Sequence, residues 1–312
     1  MAQEKITVVG AGNVGATCAL WAAARDLGDV VLVDVVPGLA EGKALDLAQA
    51  APIAGFSHKI AGTTDYAATA GSDLAIITAG LARRPGMSRD DLLARNAEIV
   101  AGVVRKVVEA SPDAILIIVS NPVDAMTALA HKVSGLPPRR VVGMAGVLDS
   151  ARMRAFVAME TGASPKDIQA FVLGGHGDDM VPLVRHSSVG GVGLARVLAK
   201  KTLERIVERT RNGGAEIVAL LKTGSAFYAP AAAAVEMAQA ILRDEGRVLP
   251  CAAWCDAEYG VGGYFVGVPA RLGAGGVTEV LQFDLNAEER AAFDRSVEHV
   301  KALVKQLDAL KV

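Results

Sequence analysis

The first 34 residues contain the feature that most restricts the fold, in which a short apolar strand, a glycine-rich turn, a helix and a second strand follow one another. The segment ITVVG leads into Gly10, Gly12 and Gly15, which have the spacing GxGxxG. A helical stretch follows over 16–25, and the next apolar run ends in Asp34. Parallel strands need a helical crossover between them, so this order predicts a βαβ unit in a mainly parallel sheet.

Each glycine of the turn has its own physical role. Gly10 permits the tight turn, Gly12 allows a pyrophosphate to approach the backbone, and Gly15 allows the helix to pack closely on the strand. The phosphates would face the positive end of the helix dipole. A glycine turn that binds nothing is the alternative that the motif alone allows.

The acid at the end of the second strand favours the dinucleotide. Asp34 lies 19 residues after Gly15, close to the separation expected for a carboxylate that binds ribose hydroxyls. Since a carboxylate accepts hydrogen bonds from a free 2′-hydroxyl but repels a 2′-phosphate, we predict NAD rather than NADP as the cofactor.

Short β-branched runs alternate with Ala-rich helical stretches through the first half of the chain. The predicted strands cover residues 6–9, 30–33, 74–78, 115–119 and 141–142. Strands that alternate with helices predict an α/β fold, here a Rossmann-type doubly wound parallel sheet.

The pattern changes after Asp149 and predicts a second, mixed α/β domain. Helices are expected to about residue 161 and over 199–221, 229–243 and 287–310, with strand-like runs at 168–175 and 185–189. Asn286 is the expected cap of the last helix, with Glu288 and Glu289 in its first turn. We place an NAD-binding domain at residues 1–146 and a substrate-binding domain at 147–312.

Composition restricts the class of protein further. Hydrophobic residues make up 52% of the 312 residues and aromatic residues only 4%, so we expect a core of Ala, Val, Leu and Ile. The net charge of −2 gives no reason to expect a nucleic acid or an acidic membrane surface as a partner.

The N-terminus and the cysteines bear on the compartment. The sequence MAQEKITVVG runs directly into a strand without a secretory signal pattern, and no apolar run approaches the roughly 18 residues that span a bilayer. The cysteines at 18, 251 and 255 are odd in number, and Cys18 lies in a predicted helix, which disfavours a disulfide framework. We therefore expect a cytoplasmic protein.

The run LARRPGMSR places three arginines on a glycine- and proline-containing loop beyond an apolar strand. Planar guanidinium groups bind carboxylates through paired, charge-assisted hydrogen bonds, so Arg83, Arg84 and Arg89 suit a small, doubly negative substrate. A solvated basic loop is the alternative that this segment alone leaves open.

Three further segments carry candidate catalytic groups. His176 lies in VLGGHGDD at the end of an apolar strand, and its ordinary pKa near neutrality suits a general acid or base. In GVLDSAR, Asp149 and Arg152 are three residues apart at a helix start and can project from one face. Asn121 follows the strand ILIIVS, at the edge where open α/β sheets bind ligands. A turn cap, an ordinary helix acid with its ion pair and an Asn-Pro turn are the respective alternatives.

No metal site is predicted. The remaining histidines lack the spacing of metal ligands, and Cys251 and Cys255 lack a second cysteine pair.

Taken together, five segments resemble the lactate/malate dehydrogenase family, within it the lactate-dehydrogenase-like malate dehydrogenases. These segments read VVGAGNVG, ITAGLARRPGMSRDDLL, SNPVD, GMAGVLDSAR and VLGGHGD. The resemblance covers nearly the whole chain, including TGSAFYAPA and the late EYGV and VGVPARLGAGG. It implies an NAD-dependent malate dehydrogenase of the tricarboxylic acid cycle, working as a homotetramer or homodimer.

The resemblance also implies roles for the catalytic and substrate-binding residues. His176 would accept the proton and Asp149 would hold its tautomer, while Arg152 would clamp the C1 carboxylate. Arg89 would polarise the C2 oxygen. Arg83 matches the family's substrate-choosing position, where an arginine fits the second carboxylate of oxaloacetate. Asn121 and Ser225 complete the implied set of substrate-binding residues.

Residues of the first domain would bind the cofactor. By the same resemblance they are Gly10, Ala11, Gly12, Asn13, Val14, Gly15, Asp34, Asn96, Val119, Ser120 and Asn121. Asp179 departs from the family pattern, which usually has threonine there; its charge would either raise the pKa of His176 or face solvent.

Three other functions stay open. A lactate or other 2-hydroxyacid dehydrogenase is the nearest, although Arg83 would then face a methyl group at a cost. An NAD- and metal-dependent glycosidase has a similar fold but a longer chain and a metal motif. A dinucleotide sensor would keep the fold but would have no catalytic activity.

Overall fold

The computed structural model describes residues 4–81 and 89–310, with Arg89 described in its backbone only. The first half alternates strands and helices, as the sequence predicts. Its elements are β1 (Lys5–Val9), α1 (Asn13–Ala24), β2 (Asp29–Val33), α2 (Leu39–Ala54), β3 (Ile60–Thr63), β4 (Leu74–Ile77), α3 (Arg89–Ala110), β5 (Ile115–Ile118), α4 (Val123–Ser134) and β6 (Val141–Gly143).

Within the described residues, the second half contains the longest helix and the two longest strands. Its elements are α5 (Gly146–Thr161), β7 (Ile168–Gln169), β8 (Val172–Leu173), β9 (Val181–Pro182), β10 (Ser188–Val189), β11 (Val192–Gly193), α6 (Leu194–Val197), α7 (Lys200–Leu221), α8 (Tyr228–Leu242), β12 (Arg247–Cys255), β13 (Tyr264–Gly273), β14 (Gly276–Val280) and α9 (Ala287–Ala309).

Within the described ranges, nine strands form one sheet in the order β14-β13-β12-β6-β5-β4-β1-β2-β3. The strands from β6 to β3 are parallel and have the doubly wound order, with the connections reversing direction between β1 and β4. In such sheets ligands bind beyond the carboxyl ends of the strands at this reversal. The predicted fold class is confirmed.

Three strands of the second half extend this sheet, which the sequence analysis did not predict. β12 joins β6 in antiparallel fashion through Ala252 and Gly143, and β13 and β14 continue outward. The strand RVLPCAAWC contains a proline and two alanines, which are poor strand signals, and Pro250 lies opposite Pro269 in the ladder. β3 was missed for a related reason, because its four residues are IAGT.

The strand prediction at 168–175 was too long. Only β7 and β8 form there. Of the strand predicted at 185–189, the first two residues lie in a short 3₁₀ turn, Val184–His186, and the last two form β10. The last helix is confirmed together with its cap, since the Asn286 side chain accepts a hydrogen bond from the backbone of Glu289 and the Glu289 side chain accepts one from Asn286, both at 2.9 Å.

The core is aliphatic and lies on both faces of the sheet. Ile6 and Val8 of β1 point to one face and Val9 to the other, as strand geometry requires. On the first face α1 packs against α8 through small residues such as Ala22 and Ala234. Among the described residues, no helix combines the length and the apolar character needed to cross a membrane.

Candidate active site

A carboxylate at the start of α5 joins the two strongest candidates for catalysis. One oxygen of Asp149 lies 2.8 Å from Nδ1 of His176, and the other accepts a hydrogen bond from the Arg152 guanidinium at 3.1 Å. The Asp149 side chain is only 2% exposed, so solvent screens these contacts little. The structure thus brings together the three side chains that the sequence analysis selected from two separate segments.

The backbone of His176 is held as firmly as its ring. The N–H of His176 donates to Oδ2 of Asp124 at 2.8 Å, and the preceding N–H, of Gly175, donates to Oγ of Ser296 at 2.8 Å. Asp124 lies in the first turn of α4 and Ser296 lies on α9, and both are buried. Sequence reasoning missed both residues, because an acid in a first helical turn and a serine within a helix are common features.

Charge around His176 favours the imidazolium. Burial by itself lowers the pKa of His176, but the charge of Asp149, its hydrogen bond and the charge of Asp124 outweigh burial and the nearby Arg152, so the pKa lies above its ordinary value. Burial raises the pKa of Asp124 to about 6. The site is therefore suited to accept and hold a proton on His176.

Two consecutive glycines on α7 provide the space for Arg152. A Cβ atom on Gly213 would lie 3.0 Å from Cδ of Arg152, and one on Gly214 would lie 3.4 Å from its terminal nitrogen. The Arg152 side chain is 13% exposed, and its buried Nε has no hydrogen-bond partner among the described residues. Arg152 therefore keeps donors for an anionic ligand beyond the one bonded to Asp149. The glycine pair in RNGGAEIV was a sequence signal that the prediction did not use.

The glycine turn after β1 has the geometry that a dinucleotide requires. Gly10 has φ +100°, and a Cβ on Gly15 would collide with the Gly10 carbonyl oxygen. A Cβ on Gly12 would meet nothing within 4 Å, so the space beside the turn is open. α1 begins at Asn13 without a capping side chain, which leaves its first N–H groups available to an anion.

Asp34 fixes this turn while remaining half-buried at the edge of the site. One of its oxygens accepts a hydrogen bond from the Ala11 N–H at 2.6 Å, and the other accepts one from the Val36 N–H at 3.0 Å. Each carboxylate oxygen has a second lone pair, so ribose hydroxyls can still donate to it. The open turn, the uncapped helix and the carboxylate together fit a dinucleotide with two ribose hydroxyls.

Two family models divide the chain between them. Residues 4–143 match the model described as lactate/malate dehydrogenase, NAD binding domain, and residues 146–311 match the one described as lactate/malate dehydrogenase, alpha/beta C-terminal domain. The chain belongs to the lactate/malate dehydrogenase family. The resemblance found in the sequence is confirmed, the NAD prediction is confirmed with it, and the glycosidase alternative is wrong.

Individual relatives are similar to this dehydrogenase in sequence and in backbone structure over nearly its whole length. The malate dehydrogenase of Rhodopirellula baltica is 58% identical over 312 residues, covering 99% of each chain. The solved malate dehydrogenase of Salinibacter ruber is 52% identical with a TM-score of 0.95 and 98% coverage of each chain. A lactate dehydrogenase of Cryptosporidium parvum, solved with lactic acid and NAD, is 42% identical, also with a TM-score of 0.95 and 99% coverage of each chain. Backbone similarity alone therefore does not separate malate from lactate enzymes.

Asn96 connects two parts of the dehydrogenase site. Its Oδ1 accepts a hydrogen bond from the Leu81 N–H at 2.7 Å, and its Nδ2 donates to the carbonyls of Leu81 at 3.2 Å and Asn121 at 2.7 Å. The Asn96 residue is 1% exposed. These contacts link Leu81, the first residue of the run LARRPGMSR, to Asn121. A contact between Asn96 and the cofactor stays a prediction.

The ends of β4 and β5 are tied together at the same edge. Ser120 Oγ donates to the carbonyl of Ala79 at 2.6 Å, and the Val119 N–H donates to that of Ile77 at 2.9 Å. Both residues are buried, and Asn121, which follows them, is exposed. Val119, Ser120 and Asn121, which the resemblance assigns to cofactor binding, thus lie together in the connection after β5, at the carboxyl edge of the sheet.

Several predicted residues lie outside the described part of the dehydrogenase. Arg83 and Arg84 are not among the described residues, and Arg89 is described only as the first residue of α3. Ser225 lies exposed in the connection between α7 and α8. The roles given to these residues stay predictions.

Asp179, the departure from the family pattern, contacts a residue other than His176. Its carboxylate lies 3.2 Å from Nδ1 of His299 on α9. Asp179 is partly buried, so its charge is not simply solvated. Among the described residues, no group of three or more histidine, cysteine or acidic side chains could hold a metal ion.

Proposed function

We propose that this dehydrogenase catalyses the reversible, NAD-dependent oxidation of (S)-malate to oxaloacetate. The observation that carries the reaction type is the buried contact of one carboxylate, Asp149, with both His176 and Arg152. Since Nδ1 of His176 is occupied by Asp149, Nε2 is the nitrogen left to take the C2 hydroxyl proton of malate. The nearby carboxylates stabilise the imidazolium that results.

The arginines bind and orient the substrate in this proposal. Arg152 clamps the C1 carboxylate with donors that the protein leaves unpaired, and Arg89 polarises the C2 oxygen. Arg83 pairs with the second carboxylate. Asn121 and Ser225 add polar contacts to the substrate.

The first domain holds the cofactor, which supplies the hydride acceptor of the reaction when bound. The N–H groups at Gly12 and Asn13 receive the pyrophosphate, and Asp34 receives the ribose hydroxyls. The residues after Asp34 are Val35, Val36 and Pro37, so this short segment offers no cation to a 2′-phosphate. Equal catalytic efficiency with NADP and NAD would contradict this role of Asp34.

The choice of malate over lactate has two supports. Relatives that share more than half of the sequence are malate dehydrogenases, and Arg83 would leave an unpaired charge beside the methyl group of lactate. The test is steady-state oxidation of NADH with oxaloacetate or pyruvate, using the wild type and Arg83→Gln. We expect oxaloacetate to be preferred by the wild type and the preference to fall sharply in the variant. Wild-type preference for pyruvate would make the chain a lactate dehydrogenase, and NADH binding without turnover would favour a sensor.

We extend the proposal to a homotetramer or homodimer in the cytoplasm. Large apolar side chains are exposed on α2 and at the ends of α7 and α8, including Ile53 at 92%, Leu220 at 74% and Tyr228 at 69%. Such side chains are typical of surfaces that another subunit covers. The free, buried thiols of all three cysteines suit a reducing compartment. Size-exclusion chromatography with light scattering distinguishes the monomer from the dimer and the tetramer.

A further inference from the structure

We propose that Asp124 is a positioning residue for His176, holding the histidine backbone from α4 while Asp149 holds the imidazole from α5. The inference rests on the proposed function only for the role of His176 as the proton carrier. The contact itself belongs to the fold.

The geometry around His176 shows two independent anchors. Asp124 Oδ2 accepts from the His176 N–H at 2.8 Å, and Asp149 Oδ2 lies 2.8 Å from the ring nitrogen Nδ1. Ser296 secures the residue before, through the Gly175 N–H at 2.8 Å. With backbone and ring both fixed, Nε2 has a defined direction, which proton transfer needs.

Asp124 is buried more deeply than a helix-start acid requires. It is 4% exposed, and its second oxygen, Oδ1, is buried without a hydrogen-bond partner among the described residues. For comparison, Glu288 in the first turn of α9 is exposed. A buried carboxylate with only one oxygen hydrogen-bonded destabilises a fold. The presence of Asp124 beside His176 therefore points to function rather than to stability. Burial raises the pKa of Asp124 to about 6, which leaves the group ionised at neutral and higher pH.

The charges facing His176 come from several elements. Asp149 and Arg152 are on α5 and Asp124 is on α4, while Asp179, in the same loop as His176, acts on Asp124. Asp179 in turn contacts His299 of α9. Neutralising Asp124 leaves Asp149 to oppose Arg152 beside the ring, so the pKa of His176 should fall.

Asp124 also connects His176 to the other end of the site. It lies three residues after Asn121, whose carbonyl accepts the hydrogen bond from Asn96 that also secures Leu81. The start of α4 thus fixes His176 relative to the turn that carries Asn121.

The test compares Asp124→Asn, Asp124→Ala and the control Glu288→Gln, which removes an exposed acid from the first turn of another helix. Asp124→Asn keeps an acceptor for the His176 N–H but removes the charge, whereas Asp124→Ala removes both. We expect the pH limb of oxaloacetate reduction to move down by roughly half a unit or more in the Asn variant, because one facing charge is lost. In the Ala variant kcat should fall about 10-fold or more with NADH binding retained, because the histidine is less well positioned. The control should match the wild type.

Nitrogen NMR of ¹⁵N-labelled histidine provides a readout that does not need turnover. The midpoint of the His176 titration should fall in Asp124→Asn even if the chain reduces no oxo acid, which separates this inference from the proposed function. An unchanged titration and an unchanged pH limb in Asp124→Asn would overturn it, whether or not Asp124→Ala folds. Normal kcat in a folded Asp124→Ala would overturn it as well.

Discussion

The glycine pair on α7 allows the stability of the helix and the binding of substrate to be tested separately. Glycine in a helix interior costs about 1 kcal/mol relative to alanine, so Gly213→Ala should on that account stabilise the protein. The new Cβ, however, would lie 3.0 Å from Cδ and 3.4 Å from Nε of Arg152. The arginine must move by a few tenths of an ångström, and a side chain displaced from its rotamer costs about 0.5–1.5 kcal/mol. The two contributions nearly cancel, so the free energy of unfolding should change little.

Substrate binding should change much more. Hydrogen bonds to charged groups contribute about 1.5–3 kcal/mol each, and a displaced Arg152 should lose roughly half of that value. A loss of about 0.75–1.5 kcal/mol corresponds to a fall in kcat/KM for oxaloacetate of roughly 3- to 13-fold. The KM for NADH should stay at its wild-type value, because α7 packs mainly against α5, whereas the cofactor site lies at the turn after β1 and at the end of β2.

Gly102 supplies the matched control. It lies within α3, and a Cβ there would meet nothing within 4 Å. Gly102→Ala should therefore gain about 1 kcal/mol of stability from helix propensity and keep its activity. Urea unfolding and steady-state kinetics on both variants complete the assay. Full kcat/KM in Gly213→Ala would show that the glycines do not set the position of Arg152.

Three further predictions concern single residues. His176→Asn should lower turnover by roughly 100- to 10,000-fold while NADH fluorescence still reports binding; near-normal turnover would remove His176 from the mechanism. Asn96→Ala should raise the KM for oxaloacetate more than that for NADH, because its contacts are to Leu81 and Asn121; the opposite order would favour a direct cofactor contact. The pKa of Asp124 rises from 3.8 to about 6 on folding. The protonated carboxyl therefore contributes fully to the free energy of unfolding below pH 3.8, and this contribution is lost as pH rises through 6. Asp124→Asn should therefore stabilise the protein by up to about 3 kcal/mol at pH 8 and by less at pH 5, and urea unfolding that showed equal effects at both would contradict it.

The parts of the site that the sequence predicts are those where chemistry restricts residue type. Gly10 and Gly15 are required by the backbone geometry of the turn, and Asp34 by its position at the end of β2. His176 and Asp149 carry reactive groups in short segments that resemble a known family, and that resemblance implied their pairing across 27 positions.

The parts that were missed depend on packing between distant segments. Asp124 looks like any acid at a helix start until its 2.8 Å contact with the His176 backbone is known. The role of Gly213 follows only from its position beside Arg152, which the sequence does not show. β12 was missed because its proline and alanines contradict local strand preference, and pairing with β6 decides its conformation.

The antiparallel contact of β12 with β6 restricts how the dehydrogenase can move. Both halves of the chain contribute strands to one hydrogen-bonded sheet, joined where Ala252 lies opposite Gly143. A hinge between the halves would have to break that ladder and reopen the core that both share. Rigid-body closure of one half on the other would therefore break the pairing at this junction, so we expect shielding of a substrate from water to come from segments outside the sheet.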